Sequence, residues 1–323
     1  MDKSIRFGIE VQFLNEQVNR WAPHAARANS YDQAILAADR RAWHPLNVEL
    51  FDLSAFDVDQ TPMLPPHMVV ALETACVSER LSTSQLRTHF TNETVRIHLS
   101  DILLGERAAM LHAVRLCGAS QDLGAQEHAA NQAREEARHA AAFTLYIARR
   151  WGEPVSPTPV FAAFLDELAT SGNLAQEVAG MQVLVEGLAM GVFAAFEGEL
   201  RDPLGKELIR LVMADEASHL KTGVTWMENA LGTLSAAQRV ELEAWTARQF
   251  MRLSRGLLAP TQRPEHYSRF GIDPRQVVRE LRGRGNGRLQ PSAAAAIFRT
   301  VAKAVQRAGL VSSRTAGAYA DFL

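Results

Sequence analysis

Gln132-Ala-Arg-Glu-Glu-Ala-Arg-His139 and Ala214-Asp-Glu-Ala-Ser-His219 carry the same Glu-x-x-His spacing, at Glu136/His139 and at Glu216/His219. A lone glutamate stands thirty residues ahead of each motif glutamate, Glu106 before the first and Glu186 before the second. On a helix, residues i and i+3 share a face, so each pair offers a carboxylate and an imidazole to one point in space. Four carboxylates and two imidazoles in a duplicated frame make a candidate two-metal site.

Two short motifs are weak on their own, and the surroundings of Glu186 strengthen them. Val178-Ala-Gly-Met-Gln-Val-Leu-Val-Glu-Gly-Leu-Ala-Met-Gly-Val-Phe-Ala-Ala-Phe196 is apolar almost all round and contains no Lys or Arg. Such a helix is expected to be buried on every side. An ionised carboxylate there must be protonated, paired with a cation or bound to a metal, because burial of an isolated charge costs many kcal/mol. Two divalent ions would neutralise four glutamates. Without metal the cluster should repel itself, with raised carboxylate pKa values, and metal binding should release protons and stabilise the fold.

Outward from these motifs the chain reads as helical from about residue 65 on, with no competing alternation of strand type. Helices are expected over 91–117, 122–151, 173–200 and 203–230. Gly118-Ala-Ser-Gln-Asp122 supplies a turn and an N-cap, and Asp202-Pro203 an N-cap with proline at the first helical position. Trp151-Gly-Glu-Pro-Val-Ser-Pro-Thr-Pro159 is a proline-rich crossing before a short helix at 160–170. Short connection, long crossover, short connection is the order of a ferritin-like four-helix bundle, so the expected class is all-α with extra N- and C-terminal helices. Residues 1–90 are read as a wrapping segment and lead-in helix, 91–230 as the dimetal bundle and 231–323 as a helical extension. In that extension a helix to about residue 255, a helix start at Asp273-Pro274, a glycine-rich turn at Gly283-Arg-Gly-Asn-Gly-Arg288 and a last helix near 292–308 are expected.

Net charge −2 and 47% apolar residues describe an ordinary globular chain. Met1-Asp-Lys-Ser-Ile-Arg-Phe-Gly8 has no apolar leader core, so a cytoplasmic protein without a membrane partner is expected. Cys76 and Cys117 are too few for a disulfide scaffold and lack zinc-finger spacing. From Arg263 to Arg314 there are 11 Lys/Arg against 3 Asp/Glu, so the tail is basic while the whole chain is slightly acidic. Solvated surface, the acidic body of its own bundle, an acidic carrier or donor protein and nucleic acid are all readings of that charge. No aromatic-interleaved signature favours nucleic acid.

At the quoted motifs the chain resembles the ferritin-like non-haem diiron-carboxylate oxidases and oxygenases. The likeness covers about 91 to 230. It implies Glu136 and Glu216 as bridging ligands, Glu106 and Glu186 as terminal or shifting ones, and His139 and His219 as one imidazole for each metal. Glu135 and Asp215, each just before a motif glutamate, are candidates to orient the histidine of the partner helix. Phe143 stands where radical-bearing ribonucleotide reductase subunits place tyrosine, which excludes a tyrosyl radical there. Met190, Val212 and Met181 likewise depart from the multicomponent monooxygenases, the arylamine N-oxygenases and the ligand-binding Mn/Fe oxidases, so the subfamily stays open.

The implied chemistry is dioxygen activation by two iron ions or a Mn/Fe pair, for which hard oxygen donors with two imidazoles are suited. An organic substrate, free or carrier-tethered, would be hydroxylated, N-oxygenated or desaturated with electrons from a separate donor, by a protein expected to be a homodimer. Val183, Leu184, Leu188, Met190, Phe143 and Phe193 are expected to shelter the site from water. The alternative is an iron-handling or peroxide-detoxifying protein of the ferritin or rubrerythrin kind.

Overall fold

The computed structural model describes residues 33–35, 43–45, 56–284 and 293–323. Residues 285–288 of the expected glycine-rich turn, and most of the N-terminal wrapping segment, lie outside them. The described helices are α1 (Ala75–Arg80), α2 (Ser84–Ala119), α3 (Leu123–Trp151), α4 (Pro159–Thr170), α5 (Leu174–Glu199), α6 (Pro203–Thr233), α7 (Ala236–Gly256), α8 (Pro264–Arg269), α9 (Pro274–Arg284) and α10 (Ala293–Arg307). There is no strand among the described residues.

Helices α2, α3, α5 and α6 form the bundle, with α4 in the long crossover between α3 and α5. The caps explain the breaks. Asp122 accepts from the Ala125 N–H at 2.8 Å, and Asp202 accepts from the Leu204 N–H at 3.1 Å with Pro203 following. Asp202 is also fully buried, taking two guanidinium bonds from Arg150 at 2.6 and 2.8 Å and the Tyr146 hydroxyl at 2.7 Å. That ties the end of α3 to the start of α6. Helix α2 begins at Ser84 rather than near 91, because Thr83 caps it by accepting from the Leu86 N–H at 3.2 Å. Within α2, Asn92 takes the Met63 N–H at 2.7 Å and donates to the carbonyls of Val58 and Thr61, which seats Met63 and Leu64 in the core.

The largest departure from the expected helices is in α5. Val178–Val185 is π-helical, with i→i+5 bonds, and ordinary α geometry resumes at Glu186. This helix is long and apolar enough to cross a membrane, but 72% of that window is buried inside the protein. Its burial comes from neighbours on all sides, including α6, where the Gly223 Cα comes so near the Gln182 backbone that an added Cβ would sit 2.5 Å from its carbonyl oxygen.

Two apolar clusters fill the interior. One includes Val95, Leu99, Phe143, Tyr146, Phe193 and Val212, the other Ala109, Ala129, Val178, Val185 and Met227. On each helix the six motif residues fall in sequence between members of the two clusters, so a polar layer divides the core. The second cluster also takes in Ile297, Phe298 and Val301 of α10 and Phe250 of α7. The C-terminal extension is thus packed on the bundle. Its closest approach is at Gly191, where an added Cβ would stand 2.8 Å from the Ile297 carbonyl oxygen and 2.9 Å from its Cα. Gly191→Val should therefore push α10 outward and destabilise the protein by roughly 1–3 kcal/mol, the range for overpacking. Chemical denaturation checks this, and an unchanged midpoint would mean that α10 is not seated as described.

Candidate metal centre

The six predicted ligands converge. Glu106, Glu136, His139 and Glu216 form one group whose ligand atoms lie within 4.8 Å of one another, and Glu136, Glu186, Glu216 and His219 form a second. Glu136 and Glu216 belong to both, so the geometry itself sets two carboxylates in bridging position and leaves one carboxylate and one imidazole at each end. All six are buried.

The ring orientations are defined by both edges. His139 turns Nδ1 to the cluster, 2.9 Å from Glu216, 3.2 Å from Glu106 and 3.3 Å from Glu136, while Nε2 lies 3.2 Å from Asp215 Oδ2. His219 does the same, with Nδ1 3.0 Å from both Glu136 and Glu216 and Nε2 2.8 Å from Glu135 Oε2. Each acid preceding a motif glutamate therefore takes the histidine N–H of the partner helix, as expected from the sequence, and leaves Nδ1 for the centre. Glu135 is buried, not a solvated helix residue.

Several contributors were not legible in the motifs. Gln132 donates from one amide nitrogen to Glu136 and Glu186, both at 3.1 Å, and accepts from Gln182 at 3.1 Å. Its position one turn before Glu136 is the only sequence signal for it. Asp215 receives Arg138 at 2.6 Å and the Trp43 indole N–H at 3.0 Å, with the guanidinium 4.7 Å over the Trp43 ring and that ring stacked 5.9 Å from His139.

Charge in the layer follows from burial and proximity. Burial and then the Glu216 charge raise Glu106 well above the usual carboxylate range, and Glu186 is raised by burial, Glu216 and Glu136. Burial also pushes Glu136 and Glu216 upward, but the two histidines outweigh it and hold both below the usual range. Burial lowers the histidines, yet hydrogen bonds and charge from the surrounding acids raise both well above their ordinary value. Burial and proximity thus favour protons on Glu106, Glu186 and the two imidazoles and disfavour them on Glu136 and Glu216, which works against a build-up of negative charge in the metal-free layer.

The donor set fits two divalent ions. Glu136 Oε2 and Glu216 Oε1 are buried and accept no hydrogen bond although imidazole nitrogens lie beside them, and three carboxylates crowd one His139 nitrogen that has at most one proton to give. Cations at the two group centres would satisfy these oxygens and replace the protons, four oxygen donors and two imidazoles being a set suited to iron and manganese.

A pocket opens from this layer. It is bounded at one end by Glu106, Glu136, Glu186 and Glu216 and runs between α2 and α5, with about 680 Å³ of space including its solvent-facing part. Its apolar wall includes Ile102, Phe161, Val185, Leu188 and Val192, completed by Leu257, Leu258, Ile297 and Phe298 from the C-terminal extension. Of the apolar residues expected to shelter the site only Leu188 lines it. Val183 and Leu184 belong to one core cluster, and Phe143 and Phe193 to the other. Met190 is half-buried and off the wall. For Met190 and Phe193, which follow the π segment on α5, its wider period changes which face they occupy.

Because Glu106, Glu186, His139 and His219 all hold protons more tightly than usual, loading with two divalent ions should release protons, up to about four. The same raised values mean that the native state binds more protons than the unfolded chain, so stability of the metal-free protein should fall as pH rises above the ordinary values of 4.5 for glutamate and 6.5 for histidine. Glu136 and Glu216 act oppositely, their contribution being lost as pH drops through their depressed values. Calorimetry in buffers of different ionisation heat, and denaturation against pH with and without metal, measure both. Release of no protons, or a metal-free stability that rises with alkalinity, would contradict the assignment.

No family model and no curated protein matches the sequence. Among solved structures, an R2-like ligand-binding oxidase, a V72L mutant with an aerobically reconstituted Mn/Fe cofactor, aligns at a TM-score of 0.52 and 13% identity over 88% of this chain and 94% of its own. A protein with aldehyde deformylating oxidase activity from Synechococcus aligns at a TM-score of 0.48 and 18% identity over 70% of this chain and 93% of its own. With the bundle order and the six-residue layer already in place, the fold is the ferritin-like all-α bundle expected from the motifs, extended at both ends.

Proposed function

We propose that the protein is an oxygen-activating dinuclear non-haem metal oxidase, using two iron ions or a Mn/Fe pair, that oxidises an organic substrate in its apolar pocket. The observation carrying this reading is the pair of overlapping ligand groups at the closed end of that pocket. When bound, two redox-active ions supply the electrons and coordination positions that dioxygen reduction requires.

The chain's own residues do the rest. Asp215 and Glu135 hold the two imidazoles with Nδ1 toward the layer, and the Gln132 amide holds Glu136 and Glu186 together from the side. Glu106 and Glu186 can carry protons at their buried oxygens, so charge in the layer can change by proton uptake without a net charge appearing in the core. The apolar wall excludes water from a substrate held there. Iron storage or peroxide removal needs no wall for an organic molecule, and here α7 and α10 supply one. Hydroxylation, N-oxygenation and desaturation are the reactions in view, with electrons from an external donor.

Glu186→Ala should abolish reactivity with oxygen after anaerobic loading with ferrous ion, read by absorption on exposure to air. The metal-free variant should be as stable as the parent or more so, since Gln132 keeps its bond to Glu136 and a carboxyl costly to ionise is gone. Unfolding of the metal-free variant would make Glu186 a structural residue instead.

An acidic carrier or donor protein at the basic tail belongs to the same proposal. Part of that charge faces the protein's own acids, Arg263 pairing with Asp101 and Arg314 with Glu243, both at 2.9 Å or less. Arg279, Arg282, Arg284 and Arg288 are the candidate residues; Arg279 lies 3.7 Å from Asp273 and Arg282 is exposed, while the Arg284 side chain and Arg288 lie outside what is described. Reversing several of them should slow donor-driven turnover at low salt and leave turnover with a small chemical reductant unchanged. Donor-driven rates that ignore both the substitutions and ionic strength would remove the partner.

A further inference from the structure

The pocket has an apolar body and one polar end far from the carboxylates. Glu106, Gly105, Ile102, Asp101 and His98 line it along α2, and eight residues of helix place His98 about 12 Å from Glu106. Burial falls along the same direction. Residues at the carboxylate end, Glu106, Glu136, Glu186, Glu216 and Ala109, are all buried, whereas His98, Ile102, Ala189 and Val192 are half-buried and Leu258 is 36% exposed. The mouth is therefore at the His98 end and the carboxylates are at the closed end.

The two polar groups near the mouth differ in availability. Asp101 is committed, since Oδ1 takes the Thr158 N–H at 2.6 Å and Arg263 at 2.8 Å, and Oδ2 takes the Thr158 hydroxyl. Its charge is matched by that of Arg263. His98 packs its ring edgewise on Phe196 at 6.2 Å. Burial depresses its basicity, with opposing influences from Asp101 and Arg263, so the ring is neutral and offers one donor and one acceptor.

We propose that the pocket takes a substrate with an apolar chain and one uncharged oxygen head group, a hydroxyl or carbonyl, and that His98 binds this head at the mouth while the chain end lies against the carboxylate layer. The inference rests on the oxidase reading only for what occupies the closed end. A carboxylate or ammonium head would bring an unmatched charge to a place where Asp101 and Arg263 already cancel. A neutral oxygen meets the imidazole at no such cost. His98 is then a specificity residue, remote from the oxidised position.

Octanol, octanoate and octylamine serve as probes of equal chain length, with binding to the metal-loaded protein read by calorimetry. Octanol should bind most tightly. His98→Leu should weaken octanol binding about three- to ten-fold, the range of one neutral hydrogen bond, and His98→Gln, which keeps a donor and an acceptor, should restore most of it. Val192→Phe, which narrows the channel between the two ends, should weaken all three. In Mn(II)-loaded protein the terminal methyl protons of bound octanol should relax faster than the carbinol protons. Tighter binding of either charged probe, unchanged octanol affinity in a folded His98→Leu variant, no binding of any probe, or faster relaxation of the carbinol protons would each overturn the proposal. These readouts need no turnover, so failure here leaves metal loading and oxygen reactivity intact, whereas failure of the oxidase reading would show as ferrous-loaded protein inert to air with octanol binding retained.

Discussion

Charge compensation inside a dry core is the constraint on which the structure depends. Four glutamates and two histidines occupy one buried layer, between apolar clusters that offer no solvent to screen them. Without metal, raised proton affinity at Glu106, Glu186 and both histidines offsets the charge of the carboxylates. With two divalent ions the same oxygens and nitrogens are satisfied by cations instead. Offsetting the carboxylate charge, by protons or by cations, is how a helix bundle can keep so polar a layer in its middle. The surrounding contacts suit this exchange, because Asp215 and Glu135 point the imidazoles inward and Gln132 spans two carboxylates.

The layer also organises the rest of the molecule. It marks the closed end of the pocket, and the extension beyond the bundle is placed to complete the apolar wall, through Leu257, Leu258, Ile297 and Phe298. Gly191 permits that placement by letting the backbones of α5 and α10 approach closely at Ile297. At the opposite edge of the layer, Trp43 and Arg138 close over Asp215 and His139, so the described part of the N-terminal region joins the site through a hydrogen bond and ring contacts.

How much of this could be read from the chain depends on how local the signal is. The gathering of the six residues was legible because i, i+3 spacing is written along single helices and the thirty-residue offset repeats, and burial of Glu186 was legible from the apolar run around it. Asp122 and Asp202 declared their helix starts by local chemistry. Asp215 and Glu135 were found by adjacency to the motifs. Gln132, Trp43 and Arg138 were not, since their roles depend on which helices meet, and nothing in their own neighbourhoods fixes that. The π segment at Val178–Val185, which no residue in that run announces, re-phases the part of α5 carrying Met190 and Phe193, while the facing of Phe143 depends on how α3 packs. His98 emerged only when α2, α5 and the extension were seen to enclose one space.

The proposed chemistry depends on two ions sharing Glu136 and Glu216. Anomalous diffraction from crystals grown with Mn(II) or Fe(II) measures this most directly. Two peaks should appear in the buried layer, one among Glu106, Glu136, His139 and Glu216 and the other among Glu136, Glu186, Glu216 and His219. A single peak, or peaks only at surface carboxylates while the layer holds none, would contradict a dimetal centre and with it the functional reading built upon it.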